Sequence, residues 1–148
     1  MTKRRKFKLD DFLPYLVNRV GAALVARFSE RTLARHRLSI DMWRVLAALS
    51  NNGAQRQIDL AGMTSIETST VSRLVSRLVQ RGLVSRSRSR TNSREVVVAL
   101  SRRGRALVDR LIPLAQALER SASAGLPARD IALAKHVLRR LYGNLVRR

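Results

Sequence analysis

The 148-residue sequence contains no cysteine, which excludes disulfides, thiolate metal sites and thiol-based redox chemistry. Its two histidines, His36 and His136, lie far apart without ligand-like spacing. There is no Ser-His-Asp set, no paired carboxylates in a cleft pattern and no phosphate-binding glycine loop. The expectation is a protein that is not an enzyme and needs no metal or cofactor. No apolar run approaches the roughly 18 residues of a membrane span, and the basic start, residues 1–8, is followed by no apolar segment of signal-peptide length. A soluble, cytoplasmic protein without a membrane partner is expected. Aromatic residues make up only 4%, so a core must come mainly from Leu, Val and Ala, which favours packed helices. Acids are scarce as well. Ten Asp+Glu face thirty Lys+Arg, for a net charge of +20.

A field of that sign draws polyanions, nucleic acid first. Arg outnumbers Lys, which suits forked contacts to phosphates and guanine edges. Along the chain, Phe12, Leu13, Leu16, Val17, Val20, Leu24 and Phe28 recur at three- and four-residue steps and predict a long helix over residues 11–36. Pro14 is tolerable in its first turn. Ser39 is a plausible N-cap for a second helix with Trp43, Leu46 and Leu49 inward, stopped by Asn51-Asn52-Gly53. Two short helices follow, over residues 56–62 and about 65–82. Thr64 and Glu67 have capping-box spacing at the start of the latter. Its buried stripe is Val71, Leu74, Val75 and Leu78, and Thr68, Ser69, Thr70, Ser72, Arg73, Ser76 and Arg77 stay outside.

The period then changes. Residues 83–88 read as a strand, Thr91-Asn92-Ser93 as a turn, and residues 95–100 as the returning strand. The Ser-Arg repetition could instead be a disordered low-complexity segment, but Val96-Val97-Val98 favours the hairpin. Ser101 is a further N-cap, opening a helix to about residue 123 that Pro113 should bend or split. A last helix, from Pro127 to about residue 145, has Leu133, Val137, Leu138, Leu141 and Leu145 on its apolar face.

A two-helix turn followed by a hairpin is a winged helix-turn-helix arrangement, so the fold class is mainly α with a small β-wing. In such motifs the second helix enters the major groove. It needs one apolar face to hold it on the domain and another with short hydrogen-bonders and Arg. Residues 67–81 meet both demands, and no acid occurs from Thr68 to Arg81. The DNA-binding candidates are thus Thr68, Ser69, Thr70, Ser72, Arg73, Ser76 and Arg77 on the helix, with Arg86, Arg88, Arg90 and Arg94 on the hairpin. The hairpin arginines either enter a narrow minor groove, Arg94 foremost, or skim phosphates.

Gln57-Ile58-Asp59-Leu60-Ala61, Ser69-Thr70-Val71-Ser72-Arg73-Leu74-Val75 and Arg81-Gly82-Leu83-Val84-Ser85-Arg86 resemble the multiple-antibiotic-resistance regulator (MarR) family. So do Asn92-Ser93-Arg94, the run from Val98 to Gly104, the run from Leu38 to Leu46, and the stretch from Gly125 to Leu145. The resemblance spans residues 10–146. It implies a homodimer with intertwined terminal helices, two wings on one palindromic operator, repression of transcription, and release by a small, often aromatic, anionic ligand. The division it implies is a basic tail over 1–10, dimerisation helices over 11–36 and 105–148, and a DNA-binding lobe over 37–104. The family's wing usually carries Asp where this chain has Asn92, an Asp that commonly orients wing arginines.

Dimerisation has a separate argument, because the terminal helices are too long and apolar to be covered by the central lobe. In similar proteins the ligand pocket lies between dimer helices and DNA-binding lobe. His36, Arg37, Trp43 and Arg44 are the groups expected near it here, where Arg and Trp could hold an aromatic carboxylate. The plainer reading puts Trp43 in the core and His36 at a helix end. The rival function is a non-specific nucleoid-associated or RNA-binding protein that acts through its +20 charge. RNA modules usually expose aromatics for stacking, whereas those here fall on helix faces.

Overall fold

The computed structural model describes residues 6–147; most of the N-terminal basic cluster, and Arg148, lie outside the described residues. The chain divides into two compact units, residues 1–115 and 116–148.

In the first unit a 3-10 turn over Leu9–Asp11, with the Phe7 and Phe12 rings 5.3 Å apart edge to face, leads into α1, Leu13–Arg31. Pro14 falls in the opening turn of α1, where no intrahelical N–H is needed. The helix ends earlier than its periodicity suggests, because Leu33–His36 forms a separate 3-10 turn closed by Arg37 in the left-handed region, φ 52°. Helix α2, Ile40–Asn52, is capped as expected: the Met42 amide donates to the Ser39 hydroxyl at 3.1 Å. Gly53, at φ 74°, ends it.

Strand β1, Gln55–Arg56, is too short for any periodicity and was not expected. Helices α3, Gln57–Thr64, and α4, Thr68–Gln80, form the two-helix turn. The expected capping box is absent. The Thr64 hydroxyl is buried and donates to the Leu60 carbonyl, while Glu67, at the N-cap of α4, makes no side-chain capping bond. A buried hydroxyl with a carbonyl one turn back takes that partner instead, and so α4 starts at Thr68 rather than Ser65. Strands β2, Val84–Arg88, and β3, Val96–Leu100, pair antiparallel with Val84 opposite Leu100 and Arg88 opposite Val96. With β1 on the other side of β3, the sheet order is β1-β3-β2. Helix α5, Arg102–Ala122, runs through Pro113 as one helix and is not split there.

The core lies in the first unit. Val45, Leu46 and Leu49 of α2, Val71, Leu74, Val75 and Leu78 of α4, Val98 of β3, and Val108 and Leu111 of α5 are all buried. Each is worth about 1.5–3 kcal/mol relative to exposure. Trp43 is only half-buried, edge to face against Phe28 with centroids 5.6 Å apart. The exit of α4 is sealed by bonds from Gly82 N to Val79 O (2.9 Å) and from Leu83 N to Leu78 O (3.0 Å), with Gly82 at φ 68°. There the chain also meets the start of α5. The Ser101 hydroxyl donates to the Gly82 carbonyl at 2.6 Å and accepts from the Gly104 amide at 2.9 Å, and the Ser101 amide donates to the Leu83 carbonyl at 3.1 Å.

The second unit comprises the end of α5 and α6, Ala128–Val146, which follows Pro127. Lys135 of α6 pairs with Glu119. No residue of α6 is buried. No helix among the described residues is long and apolar enough to cross a membrane.

The junction sets a test. A Cβ on Gly104 would lie 1.9 Å from the Leu83 carbonyl oxygen, a contact with backbone that no rotamer relieves. Gly104→Ala should therefore destabilise the protein by about 2–3 kcal/mol, despite the roughly 1 kcal/mol that Ala favours within a helix. Urea unfolding of the two proteins measures it; equal midpoints would show that the α4 exit and α5 are not in contact.

Candidate nucleic-acid interface

Helix α4 is fixed to the lobe by its buried stripe, which turns the opposite face outward. Thr68, Ser69, Arg73 and Arg77 are exposed there, and Thr70, Ser72 and Ser76 are half-buried. The Arg73 guanidinium donates to the Thr70 hydroxyl at 3.2 Å and otherwise faces solvent.

The hairpin arginines, alike in sequence, divide into two kinds. Arg86 lies back on α4, donating to the Ser72 carbonyl at 3.1 Å and to the Ser76 hydroxyl at 2.9 Å; that hydroxyl in turn donates to the Ser72 carbonyl. Arg88 donates to the Ser93 carbonyl at 2.8 Å and closes the hairpin across its own loop. Arg90 and Arg94 are exposed near the tip. The tip is held by backbone and short side chains: Ser89 N to Glu95 O at 2.8 Å, Glu95 N to Asn92 O at 3.0 Å, and the Arg94 amide to Asn92 Oδ1 at 3.1 Å. Asn92 thus supplies a turn-closing acceptor with a neutral amide.

Where the tip loop enters β3, Arg56 donates to both carboxylate oxygens of Asp59, at 2.7 and 2.9 Å, and to Glu95 at 2.8 Å. The hydrogen bond from Arg56 holds the Asp59 carboxyl below its usual range, and the two carboxylates raise the guanidinium further above its own. This network joins α3 to the start of β3. Sequence reasoning missed it: Arg56 and Asp59 are close neighbours, but Glu95 is 39 residues away. It walls a hollow of about 440 Å³ together with Gln57, Ile58, Thr68, Arg94 and Val96, so the first residue of α4 and the outward arginine of the wing face one space.

The charge here has one sign. Arg73, Arg77, Arg81, Arg86, Arg88, Arg90 and Arg94 all fall between Glu67 and Glu95 with no carboxylate among them. Such a surface concentrates field lines on an anionic partner. No group of three or more His, Cys, Asp or Glu among the described residues could hold a metal ion.

The groups expected near a ligand pocket are dispersed. His36 lines a small hollow with Arg81, Leu83, Arg103, Leu107 and Arg110, a set that includes none of Arg37, Trp43 and Arg44. Arg37 is exposed and its carbonyl accepts from Arg81. Trp43 packs on Phe28, and Arg44 pairs with Asp41 at 3.1 Å.

Two measurements follow from these contacts. Arg86→Ala should lower stability by about 1 kcal/mol, the loss of an exposed pair of hydrogen bonds, whereas Arg90→Ala should leave it unchanged; thermal melts compare them. The Asp59 carboxyl should titrate below an ordinary aspartate in the folded protein and move upward in Arg56→Gln, as followed by carboxyl NMR. Because its folded value is depressed, its contribution to stability is present above the unfolded value and lost as pH falls through the folded one.

The MarR family model matches residues 38–96. The HTH-type transcriptional repressor NicR of Pseudomonas putida is 31% identical over 96 residues, 65% of this chain; the matched part spans 61% of that repressor's length. A MarR family transcriptional regulator from Silicibacter pomeroyi superposes with a TM-score of 0.79 at 33% identity, covering 95% of this chain and 99% of that one. BpsR of Bordetella bronchiseptica, whose DNA binding is regulated by 6-hydroxynicotinic acid, superposes with a TM-score of 0.84 at 28% identity over 93% of this chain and 97% of its own. With the helix-turn-helix and wing in place, this chain belongs to the MarR family of DNA-binding transcriptional regulators.

Proposed function

We propose that the protein is a cytoplasmic transcriptional repressor that binds a palindromic operator as a homodimer. Helix α4 enters the major groove, with Thr68, Ser69, Thr70, Arg73 and Arg77 toward bases and backbone, and Arg90 and Arg94 reach the neighbouring minor groove or its phosphates. Ser72 and Ser76 serve mainly as the seat of Arg86. The observation that carries this reading is the stretch from Thr68 to Arg94, which has no carboxylate of its own and turns hydroxyls and guanidinium groups outward from α4 and the wing.

Dimerisation is supported by apolar faces left open within each unit. Phe12, Leu13, Leu16, Val17 and Val20 are 40–60% exposed in the first unit, as are Leu133, Val137, Leu138 and Tyr142 in the second. An amphipathic helix such as α6, with no buried residue of its own, needs a partner surface. The likeness to NicR supports repression. The likeness to BpsR supports an aromatic acid as releasing effector, for which His36, Arg37, Trp43 and Arg44 remain the proposed nearby groups.

Fluorescence anisotropy on DNA from the protein's own promoter region, against scrambled DNA across a salt series, tests the reading. A preference on the order of 10³ near physiological salt is expected of an operator-specific protein. Equal affinities that collapse together with salt would instead favour a charge-only nucleoid binder. On the operator, Arg73→Ala should cost about 1–3 kcal/mol if Arg73 reads a guanine, and far less on scrambled DNA; an equal loss on both would make it a phosphate contact.

A further inference from the structure

The second unit contains no part of the helix-turn-helix or the wing, yet its last helix carries a stripe of one charge. Steps of three and four residues set His136, Arg139, Arg140, Gly143 and Arg147 along one face of α6 and its exit, with Asn144 at the edge. Val137, Leu138, Leu141 and Leu145 lie on the opposite face. The stripe and Asn144 wall a hollow of about 340 Å³, and all of them but Gly143 are exposed. No acid follows Asp130 in the sequence. The carboxylates of this unit are engaged elsewhere, Glu119 with Lys135 and Asp130 with Arg129. Arg139, Arg140 and Arg147 make no ion pair among the described residues. The helix dipole accounts for a cation in the last turn, and so for Arg147, but its effect fades before Arg139 and Arg140.

We propose that this stripe is a docking surface for the phosphate backbone of duplex DNA, separate from the one on α4 and the wing. From His136 to Arg147 the helix rises roughly 16 Å, along which one DNA strand presents about five phosphates. A compact anion would meet one guanidinium and leave the others unanswered, whereas a strand meets them in series. Arg supplies forked donors for phosphate oxygens, and the Asn144 amide adds a neutral donor of the kind that commonly contacts them. A Cβ on Gly143 would meet nothing within 4 Å, so the floor between the arginines is open. An anionic membrane is the poorer fit. A helix that lies on lipid buries its apolar face, which would turn Arg139, Arg140 and Arg147 away from the headgroups. The inference does not rest on the operator reading, since phosphates are alike in any sequence. The stripe also stays open when a second copy covers the apolar face of α6, which is the opposite one.

The test uses the full chain with the photoreactive amino acid p-benzoylphenylalanine in place of Asn144, irradiated with a duplex of scrambled sequence. A crosslink to DNA is expected, and raising salt about fourfold should lower its yield about tenfold, as two phosphate contacts require. Arg139→Gln/Arg140→Gln in the same chain should remove the crosslink. A double matched in charge, Arg27→Gln/Arg31→Gln on α1, where Glu30 interrupts the positive charge, should keep it. The same photoreactive group at the exposed Leu126 should give none. No crosslink from position 144 would overturn the surface, as would equal yields from positions 126 and 144. So would a crosslink that survives Arg139→Gln/Arg140→Gln, or one that falls equally in both doubles, which would mark general attraction to the +20 charge. Sedimentation with phosphatidylglycerol vesicles forms a parallel arm. Vesicle binding lost in Arg139→Gln/Arg140→Gln while the DNA crosslink persists would make the stripe a lipid surface instead. Should that double fold poorly, Arg140→Gln alone, read by the same crosslink, decides in its place.

Discussion

The Ser101 hydroxyl stands between two stretches of chain that would otherwise be independent, the exit of α4 and the start of α5. By donating to Gly82 and accepting from Gly104, it closes α4 and opens α5 with a single group. Only glycine at position 104 lets the α5 backbone approach the Leu83 carbonyl this closely. From that knot β2 departs on a fixed course, and the register of β2 on β3 carries the orientation to the wing tip. The angle between α4 and the wing is therefore set at the knot rather than at the wing tip.

Two further ties stiffen the same piece. Arg86 bridges β2 to α4, and Arg56 links α3 through Asp59 and Glu95 to the start of β3, beside the tip. Each is an exposed contact of modest strength. Their effect is geometric, since together they make helix and wing one body. Four arginines, Arg73, Arg77, Arg90 and Arg94, then face outward from a frame held by others of the same residue type.

The sequence made the helices with long apolar stripes readable, because α2, α4 and α6 each repeat their pattern over several turns. Boundaries were less readable where one side chain had two uses. Thr64 could cap α4 or bond back into α3, and only burial in the folded lobe decides between them. A strand of two residues, β1, has no pattern to read. Among the wing arginines, composition announces charge but not direction: Arg86 and Arg94 look equivalent in the chain and differ because the α4 carbonyl of Ser72 lies within reach of one. The network at Arg56 depends on a residue far along the chain, which local spacing cannot disclose.

Asn92 has a consequence for how the wing responds to acid. Its side-chain oxygen closes the turn by accepting the Arg94 amide, and an amide does not titrate. A carboxylate in that position would weaken as an acceptor when protonated, tying the shape of the tip to pH. The wing instead sets an acid-sensitive contact, the Asp59 carboxylate under Arg56, beside a tip whose closing acceptor does not change with pH.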